Sequence, residues 1–600
     1  MTFLLEIHFN LTDTFMKMFG LDVTRYCLVG MMAVLSCTSY AAEHTEAPEA
    51  ATGLQQQQAV IARHAMVVAA NPLAVAAGVD MLQRGGSAVD AAIATQMVLA
   101  LVEPQSSGVG GGSFLLYYQH GQNQVLAYDG REAAPAAATA DMFMDEDGLP
   151  FSFYRAVIGG KSVGVPGTLR MLELAHQQQG KLPWRTLFAP AIKLAECGFI
   201  VSPRLHVLVT RDKYLPLQAA ARAYFYHADG SPVAVGERLV NRPLAAVLRQ
   251  VAVHGAKAFY TGKIARDIVA TVHAHPTNPG QMTIADLAAY RAKLRPAVCG
   301  SYRIYTVCGM PPPSSGGVAL LEILGMLEPY DVAALQPGTA AAVHLISEAE
   351  RLAYADRNLY LADADFVKVP VAGLLDKVYL QQRATLIDMQ HTMGVALPGM
   401  PPGVDSVSRA QDNALELPST SHISIVDRWG NALAMTSSIE DAFGSRHMVD
   451  GFLLNNELTD FSFVPEQDGK LVANRVQPGK RPRSAMTPTL IFDQRHQLIG
   501  VIGSPGGSAI INYVAKTLVG VLDWHLDMQQ AVALPNFGSR NGPTELEQGT
   551  ALETLQPALQ SMGHVVKIGE ANSGLHGIMR TPNGWMGGVD PRREGMAAGY

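Results

Sequence analysis

The chain has 600 residues, 48% hydrophobic and 16% charged, with Lys+Arg 45 against Asp+Glu 52 for a net charge of −7. These proportions exclude a disordered chain and argue against a nucleic-acid binder, which usually carries a basic excess. The 56 Gly and 35 Pro fall in short clusters without a period, which excludes collagen-like and low-complexity architectures. At ~150 residues per domain the length fits about four domains, or one large fold.

Arg25 precedes a mostly apolar run, Tyr26 to Ser36, and Ser39-Tyr40-Ala41-Ala42 then supplies small residues at cleavage-site spacing. A basic flank, a short apolar core and a small-residue site read as a secretory signal over residues 1–41, with a periplasmic or secreted mature chain. The run is too short to span a bilayer, which takes about 20 residues. Glu6 and Asp13 fit a signal badly, so Met16 or Met18 is a candidate start, and Cys37 after Val34-Leu35-Ser36 makes a poor lipobox. Three cysteines follow the signal: Cys197, Cys299 and Cys308. That is no disulfide scaffold. Cys299 and Cys308 can pair only if the chain turns at Gly300-Ser301, and their spacing fits no zinc pattern.

Asn71 to Leu82 reads as a helix, broken by Gly85-Gly86. Ser87 caps a second helix with Asp90 as its capping-box partner, and the body Ala91 to Val102 reads as buried rather than membrane-spanning. Gly108 to Gly112 then leads into a strand, Phe114 to Tyr118. Further helices are expected over Pro190 to Cys197, Leu244 to His254, Ile264 to His273 and Thr339 to Tyr360. Pro311 to Gly317 is a rigid loop opening another helix. Ala396 to Leu417, Pro-rich, polar and non-periodic, reads as a flexible surface linker.

Beyond it, Ser421 to Asp427 alternates, Arg428-Trp429-Gly430-Asn431 turns, and Ala432 to Ser437 returns, which is a hairpin. A strand Leu498 to Ile502 runs through Gly503-Ser504-Pro505-Gly506-Gly507-Ser508 into a helix, Ala509 to Leu522. Helices mixed with antiparallel hairpins indicate a layered α+β fold. Glycines opening a helix leave backbone N–H groups free for an anion or oxyanion. A tight packing turn is the alternative. The P-loop, H-E-x-x-H and G-x-S-x-G patterns are absent, and Gly108 to Ser113 precedes a strand where a dinucleotide fingerprint needs a helix. Thr420, opening a strand after a linker, is where an N-terminal nucleophile could be exposed, because a free amine near neutral pKa can deprotonate its own hydroxyl. An ordinary strand threonine is the alternative.

With these residues on view, the chain from about His64 to Tyr600 resembles the γ-glutamyltranspeptidases of the N-terminal nucleophile hydrolase superfamily. The ordered matches include Gly85 to Ala92, Gly110 to Gly112, Gly164 to Thr168, Pro311 to Gly317, Ala353 to Arg357, Thr420-Ser421-His422, Gly451 to Phe461, Gly479 to Met486, Ser504 to Ser508 and Asp590-Pro591-Arg592. The resemblance implies a four-layer αββα sandwich and self-cleavage between Ser419 and Thr420. It implies fragments 42–419 and 420–600 that stay together as a heterodimer. Thr420 would be the nucleophile, with Ser438 beside its amine, and Gly506 and Gly507 would stabilise the oxyanion. Arg131 would grip the substrate α-carboxylate with help from Ser484, an arginine fork being matched to a carboxylate. Asp460 and Glu457 would hold the α-ammonium, with Glu440 nearby. Glutathione and other γ-glutamyl compounds would be donors, and water, amino acids or dipeptides acceptors. No metal, organic cofactor or nucleic-acid partner is implied.

The sequence departs from the family pattern in places. The usual paired serines read Ser484-Ala485. Glu440 and Glu457 stand where many members carry asparagine and glutamine. Phe461 to Gly479 contains no tyrosine and looks shorter than a lidded relative's, which suggests a more open pocket. Two rival readings remain: an acylase on glutaryl or polyglutamyl substrates, and a catalytically silent exported binding protein.

Overall fold

Strands that alternate between two buried faces build the centre of the molecule. The computed structural model describes residues 54–600 apart from Ser406, Asn413 and Pro418; the leader reading lies outside the described residues. In chain order the central strands are β1 (Val60–Ala62), β2 (Met66–Ala69), β3 (Gly112–Gln119), β4 (Gln124–Gly130), β5 (Lys293–Pro296), β6 (Val298–Tyr302) and β7 (Tyr305–Gly309). They continue as β8 (Thr420–Val426), β9 (Ala432–Ser438), β10 (Thr489–Phe492), β11 (Leu498–Gly503), β12 (His576–Thr581), β13 (Gly584–Val589) and β14 (Met596–Gly599). One seven-stranded sheet runs β14-β2-β8-β9-β3-β4-β5 and the other β1-β13-β12-β11-β10-β7-β6, with antiparallel neighbours throughout.

Successive strand side chains point to opposite faces. On the first sheet, Val67, Leu115, Tyr117, Ile423, Ile425, Leu433 and Met435 pack against helices that include α1 (Pro72–Gln83) and α2 (Ala88–Val102). The alternate residues Val68, Phe114, Leu116, Ala432 and Ala434 join Val307, Leu490, Val501 and Ile578 of the second sheet. That core also takes in α3 (Gly316–Leu327), α4 (Ala340–Tyr360) and α5 (Ile510–Leu522). The order is helix, sheet, sheet, helix, which is the expected αββα arrangement. Strands from both sides of residue 420 are hydrogen-bonded side by side within each sheet, so the domain arithmetic resolves to one fold rather than four.

Local signals explain the edges of these elements. Asn71 caps α1 and Ser87 caps α2, where Asp90 Oδ2 accepts from Ser87 N–H at 2.8 Å and completes the capping box. Every residue of α2 is buried, and among the described residues no helix is long and apolar enough to cross a membrane. The β8–β9 hairpin turns on Asp427, whose carboxylate accepts from Trp429 N–H and Asn431 N–H and also from Ala88 N–H at the start of α2.

Two expectations change. Cys299 and Cys308 are disulfide-bonded, but the turn lies at Arg303-Ile304, because β6 and β7 continue pairing to Tyr302 opposite Tyr305. Segment 396–417 is not a free surface linker. Ala396, Ala410, Asp412 and Glu416 are buried, and Arg409–Ala410 pairs alongside Leu471–Val472. Asp412 meets Asn474 and Arg483, and Glu416 meets Arg357 and Arg483, partners that composition alone does not reveal.

The cluster Gly110-Gly111-Gly112 has a steric reason. A Cβ on Gly110 would stand 2.1 Å from the Leu453 carbonyl oxygen, one on Gly111 2.0 Å from that of Ser438, and one on Gly112 2.2 Å from Glu132 Oε2. Three neighbours therefore approach the start of β3 at distances no side chain permits. Gly111→Ala is expected to displace the end of β9 and cost at least ~2 kcal/mol, the range of severe backbone clashes. A urea midpoint unchanged from the parent protein would contradict this packing account.

Candidate active site

β8 begins at Thr420, directly opposite Ser438 at the end of β9. Thr420 Oγ1 stands 3.5 Å from Ser438 Oγ. The Ser438 hydroxyl donates to the Ser419 carbonyl at 2.9 Å and accepts from Glu440 N–H at 2.8 Å. Arg593 donates to the Thr420 carbonyl at 3.2 Å, and Ser419 Oγ donates to the Gln105 carbonyl at 2.7 Å. The Ser419–Thr420 peptide is thus buried, its carbonyl polarised by a hydroxyl, and the carbonyl of the next peptide is held by Arg593. The loop after β9 carries Glu440, Phe443 and Arg446 at φ of 76°, 64° and 62°, which non-glycine residues rarely adopt, and such strain concentrates at functional sites.

β11 delivers the glycine loop. Gly506 and Gly507 have φ of 140° and 58°, and a short 3₁₀ turn, Gly507–Ala509, leads into α5. A side chain at Gly507 would also strike the Glu416 carbonyl oxygen at 2.6 Å and the Leu417 carbonyl carbon at 2.7 Å. Ser508 N–H and Ser508 Oγ both face the Glu416 carbonyl at 3.4 Å. In the intact chain, the segment just before Thr420 therefore lies across this loop.

Thr420, Ser438, Arg131, Glu440, Glu457, Asp460, Ser484 and Gly507 line one small cleft. All the expected site residues except Gly506 and Ser419 line it, and these two adjoin Gly507 and Thr420. The lining includes one cation, Arg131, and four acids, Glu416, Glu440, Glu457 and Asp460. Arg131 ion-pairs with both Glu457 and Asp460, and its remaining donors reach the Pro482 and Arg483 carbonyls at 3.2 and 2.9 Å. Glu132 lies 3.8 Å from the same guanidinium. Its carboxylate oxygens, together with Glu457 Oε2 and Asp460 Oδ1, are buried with no hydrogen-bond partner among the described residues. Burial pushes the Glu440 carboxyl well above the usual range, and Asp460, Asp441 and Glu457 push it further. Burial likewise raises Asp460 and Glu132, against the pull of Arg131. A buried surplus of carboxylates is costly unless a cation joins it.

Sequence reasoning missed the wall of the cleft. Glu416 forms a two-pronged pair with Arg357, at 2.6 Å through Oε2, and a second pair with Arg483 at 3.1 Å. Burial alone would raise the Glu416 carboxyl, but these arginines hold it below its ordinary value. Arg357 Nε donates to Ser315 Oγ at 2.8 Å, and Ser315 in turn holds the Ser484 carbonyl at 2.7 Å through both N–H and Oγ–H. The Pro311–Gly317 loop thus positions Ser484, Ala485 and Met486. Arg357 and Arg483 lie in stretches that carry the family resemblance. Glu416 has no such signal, because Leu415-Glu416-Leu417 looks like linker.

The raised Glu440 carboxyl has a signed consequence for stability. It stays protonated in the folded chain at pH values where the unfolded chain has already ionised, so the folded state binds the extra proton. Its contribution to stability therefore falls as pH rises from the ordinary glutamate range toward the folded-state pKa. Glu440→Gln is expected to gain on the parent protein across that window by up to ~1.4 kcal/mol per pH unit. Urea unfolding of uncleaved protein at several pH values checks this, and a difference independent of pH would contradict it.

The model of the family described as gamma-glutamyltranspeptidase matches residues 74–600. The glutathione hydrolase proenzyme of Escherichia coli strain K12 is 37% identical over 588 residues, covering 95% of this chain and 98% of the relative. The crystal structure of Helicobacter pylori gamma-glutamyltranspeptidase is similar at 34% identity and a TM-score of 0.54, covering 60% of this chain and 100% of that one. The crystal structure of cephalosporin acylase from Bacillus halodurans is similar at 27% identity and a TM-score of 0.78, covering 92% and 98%. A family match over nearly the whole described chain, on an αββα frame that brings the expected residues into one cleft, establishes that this chain belongs to the γ-glutamyltranspeptidase family.

Proposed function

We propose that the protein is an autoprocessing γ-glutamyl acyltransferase and hydrolase that uses Thr420 as its N-terminal nucleophile. The carrying observation is that Thr420 shares a cleft with Arg131 and with two unpartnered carboxylate oxygens, on Glu457 and Asp460. In the first reaction Thr420 Oγ attacks the Ser419 carbonyl carbon, whose oxygen already accepts from Ser438. The C–N bond breaks as the ester forms, and water hydrolyses the ester to a Ser419 carboxylate and a free Thr420 amine. Release of the preceding segment then clears Gly506 and Gly507, where its backbone lies in the intact chain.

In the second reaction the Thr420 amine takes the hydroxyl proton as Oγ attacks the γ-carbonyl of glutathione or a similar amide. An α-amine with a pKa near 7.7–8.0 suits that role at neutral pH. Gly506 and Gly507 N–H groups stabilise the tetrahedral oxyanion. The amine product leaves with the proton, and water, an amino acid or a dipeptide takes the glutamyl group. The substrate's α-carboxylate shares Arg131 with help from Ser484, while its α-ammonium neutralises Glu457 and Asp460 in place of the guanidinium. Ala485 removes one of the family's hydroxyls, and the extra carboxylates at Glu440 and Glu457 strengthen the demand for a cation. Among the described lining residues none comes from Phe461 to Gly479, which supports an open pocket. The leader sequence supports export, where extracellular glutathione is a suitable donor.

Three outcomes are expected. Wild-type protein runs on a denaturing gel as two fragments, the smaller of 181 residues, while Thr420→Ala stays one chain; full processing of the variant would show that the scissile bond is elsewhere. Asp460→Asn raises KM for a γ-glutamyl anilide at least tenfold, as loss of an ion pair worth over ~1.4 kcal/mol requires; an unchanged KM would remove Asp460 from recognition. Wild-type enzyme prefers the γ-glutamyl anilide to a glutaryl anilide, which lacks the ammonium; the opposite preference would favour the acylase reading.

A further inference from the structure

A second chemical cluster lies away from the cleft. His344, Glu348 and His564 are all buried, and one ligand atom from each lies within 4.8 Å of the others. His344 and Glu348 are one turn apart on α4, so their side chains share a face. His564 comes from the loop after Gln556–Ser561 and meets them from a distant part of the chain.

The two rings face each other through His344 Nδ1 and His564 Nε2, 2.7 Å apart. Their outer nitrogens are engaged. His344 Nε2 lies 2.7 Å from the Asp388 carbonyl, an acceptor only, so Nε2 carries the proton and Nδ1 presents a lone pair. His564 Nδ1 lies 2.7 Å from Thr544 Oγ1, a group that can either donate or accept. Thr544 Oγ1 also accepts from Arg351 at 2.8 Å. Two inward ring nitrogens this close require a cation or a proton between them. Glu348 is held in place beside them: Oε1 accepts from Arg351 Nε at 2.9 Å and Thr392 Oγ1 at 2.6 Å, and Oε2 accepts from Met393 N–H at 2.7 Å. Backbone and hydroxyl partners on the outer nitrogens of ligating histidines, and hydrogen bonds to a ligating carboxylate, are the usual support of a metal site.

We propose that His344, His564 and Glu348 bind a divalent cation of the zinc type. Two imidazoles and a carboxylate suit zinc, with water completing four-coordination. Binding needs His564 to carry its proton on Nδ1, donating to Thr544 Oγ1, so Nε2 turns its lone pair inward with no net proton release. Ligand atoms at ~2.0–2.1 Å from a tetrahedral ion stand about 3.3 Å apart, so the rings separate slightly and the carboxylate closes in. The exposed Asp388–Gln390 turn lies directly beyond His344.

The placement gives such an ion a task. His344 and Glu348 precede Thr420 and His564 follows it, so after the proposed cleavage the ion would join the two fragments. Anything that binds only the assembled form stabilises it by mass action. The sequence could not show this site, since His564 lies 220 positions from His344.

The test titrates zinc into chelator-stripped protein by calorimetry, using both processed protein and uncleaved Thr420→Ala, with elemental analysis for stoichiometry. One zinc per chain is expected in both forms, with affinity reduced at least tenfold in His564→Gln and in Glu348→Gln. Zinc should also raise the urea midpoint for fragment dissociation of the processed protein and not of His564→Gln. Because Glu348→Gln keeps the shape of the side chain, it carries the test if His564→Gln does not fold. Stoichiometric binding in the uncleaved form alone would support the site but overturn its role in joining the fragments. Absence of zinc binding in both forms, or binding that neither variant weakens, would overturn the proposal.

Discussion

The structure around the cleft depends on one guanidinium among too many carboxylates. Arg131 is fully buried, pairs with Glu457 and Asp460, and has Glu132 at the edge of its reach. Coulomb attraction at low dielectric is strong, but so is the cost of desolvating each charge. One cation cannot compensate this set, and Glu440 adds to the surplus. In the proposed reaction a zwitterionic substrate would relieve this imbalance without disturbing the net charge: its anionic end would take the arginine, and its cationic end the acids the arginine releases. That exchange links the recognition of an α-amino acid group to the electrostatics of the fold itself.

Everything else in the site serves to hold a hydroxyl beside this cluster. Pairing of β8 with β9 fixes Thr420 opposite Ser438, and β3 continues the sheet beneath them. The glycine run at the start of β3 admits three neighbours at backbone contact, among them the Ser438 carbonyl and Glu132. The same few residues therefore set the position of the nucleophile's neighbour and of a carboxylate in the charge cluster. On the other side, Glu416 ties the segment before Thr420 to Arg357 and Arg483, which lie behind Ser315 and Ser484. In the intact chain this segment lies against Gly507 and Ser508, so the proposed cut would couple exposure of the proposed nucleophile to exposure of its proposed oxyanion donors.

Much of this was legible in the sequence, for identifiable reasons. The capping box at Ser87 placed one helix within a residue, because a cap is a local hydrogen bond, and the helical stretches Asn71 to Leu82 and Thr339 to Tyr360 matched observed helices within a residue or two. Alternation in Ser421 to Ser437 placed the β8–β9 hairpin, because both strands bury both faces in a regular way. The site residues came from ordered family motifs rather than from spacing, which for Arg131 or Asp460 is indistinguishable from a solvated charge. What the sequence hid is mostly non-local: the Glu416 pairs, the burial of Ala410 and Asp412 within segment 396–417 and the His344–His564 contact each require the chain to be folded first.

The most direct test is to react purified protein with a covalent γ-glutamyl analogue and map the adduct by peptide mass spectrometry. The adduct is expected on Thr420, as the first residue of the small fragment, and is expected to vanish when free glutamate or γ-glutamyl substrate is in large excess. An adduct on any other residue, or a small fragment that begins elsewhere, would contradict the assignment of Thr420 as the nucleophile released by cleavage.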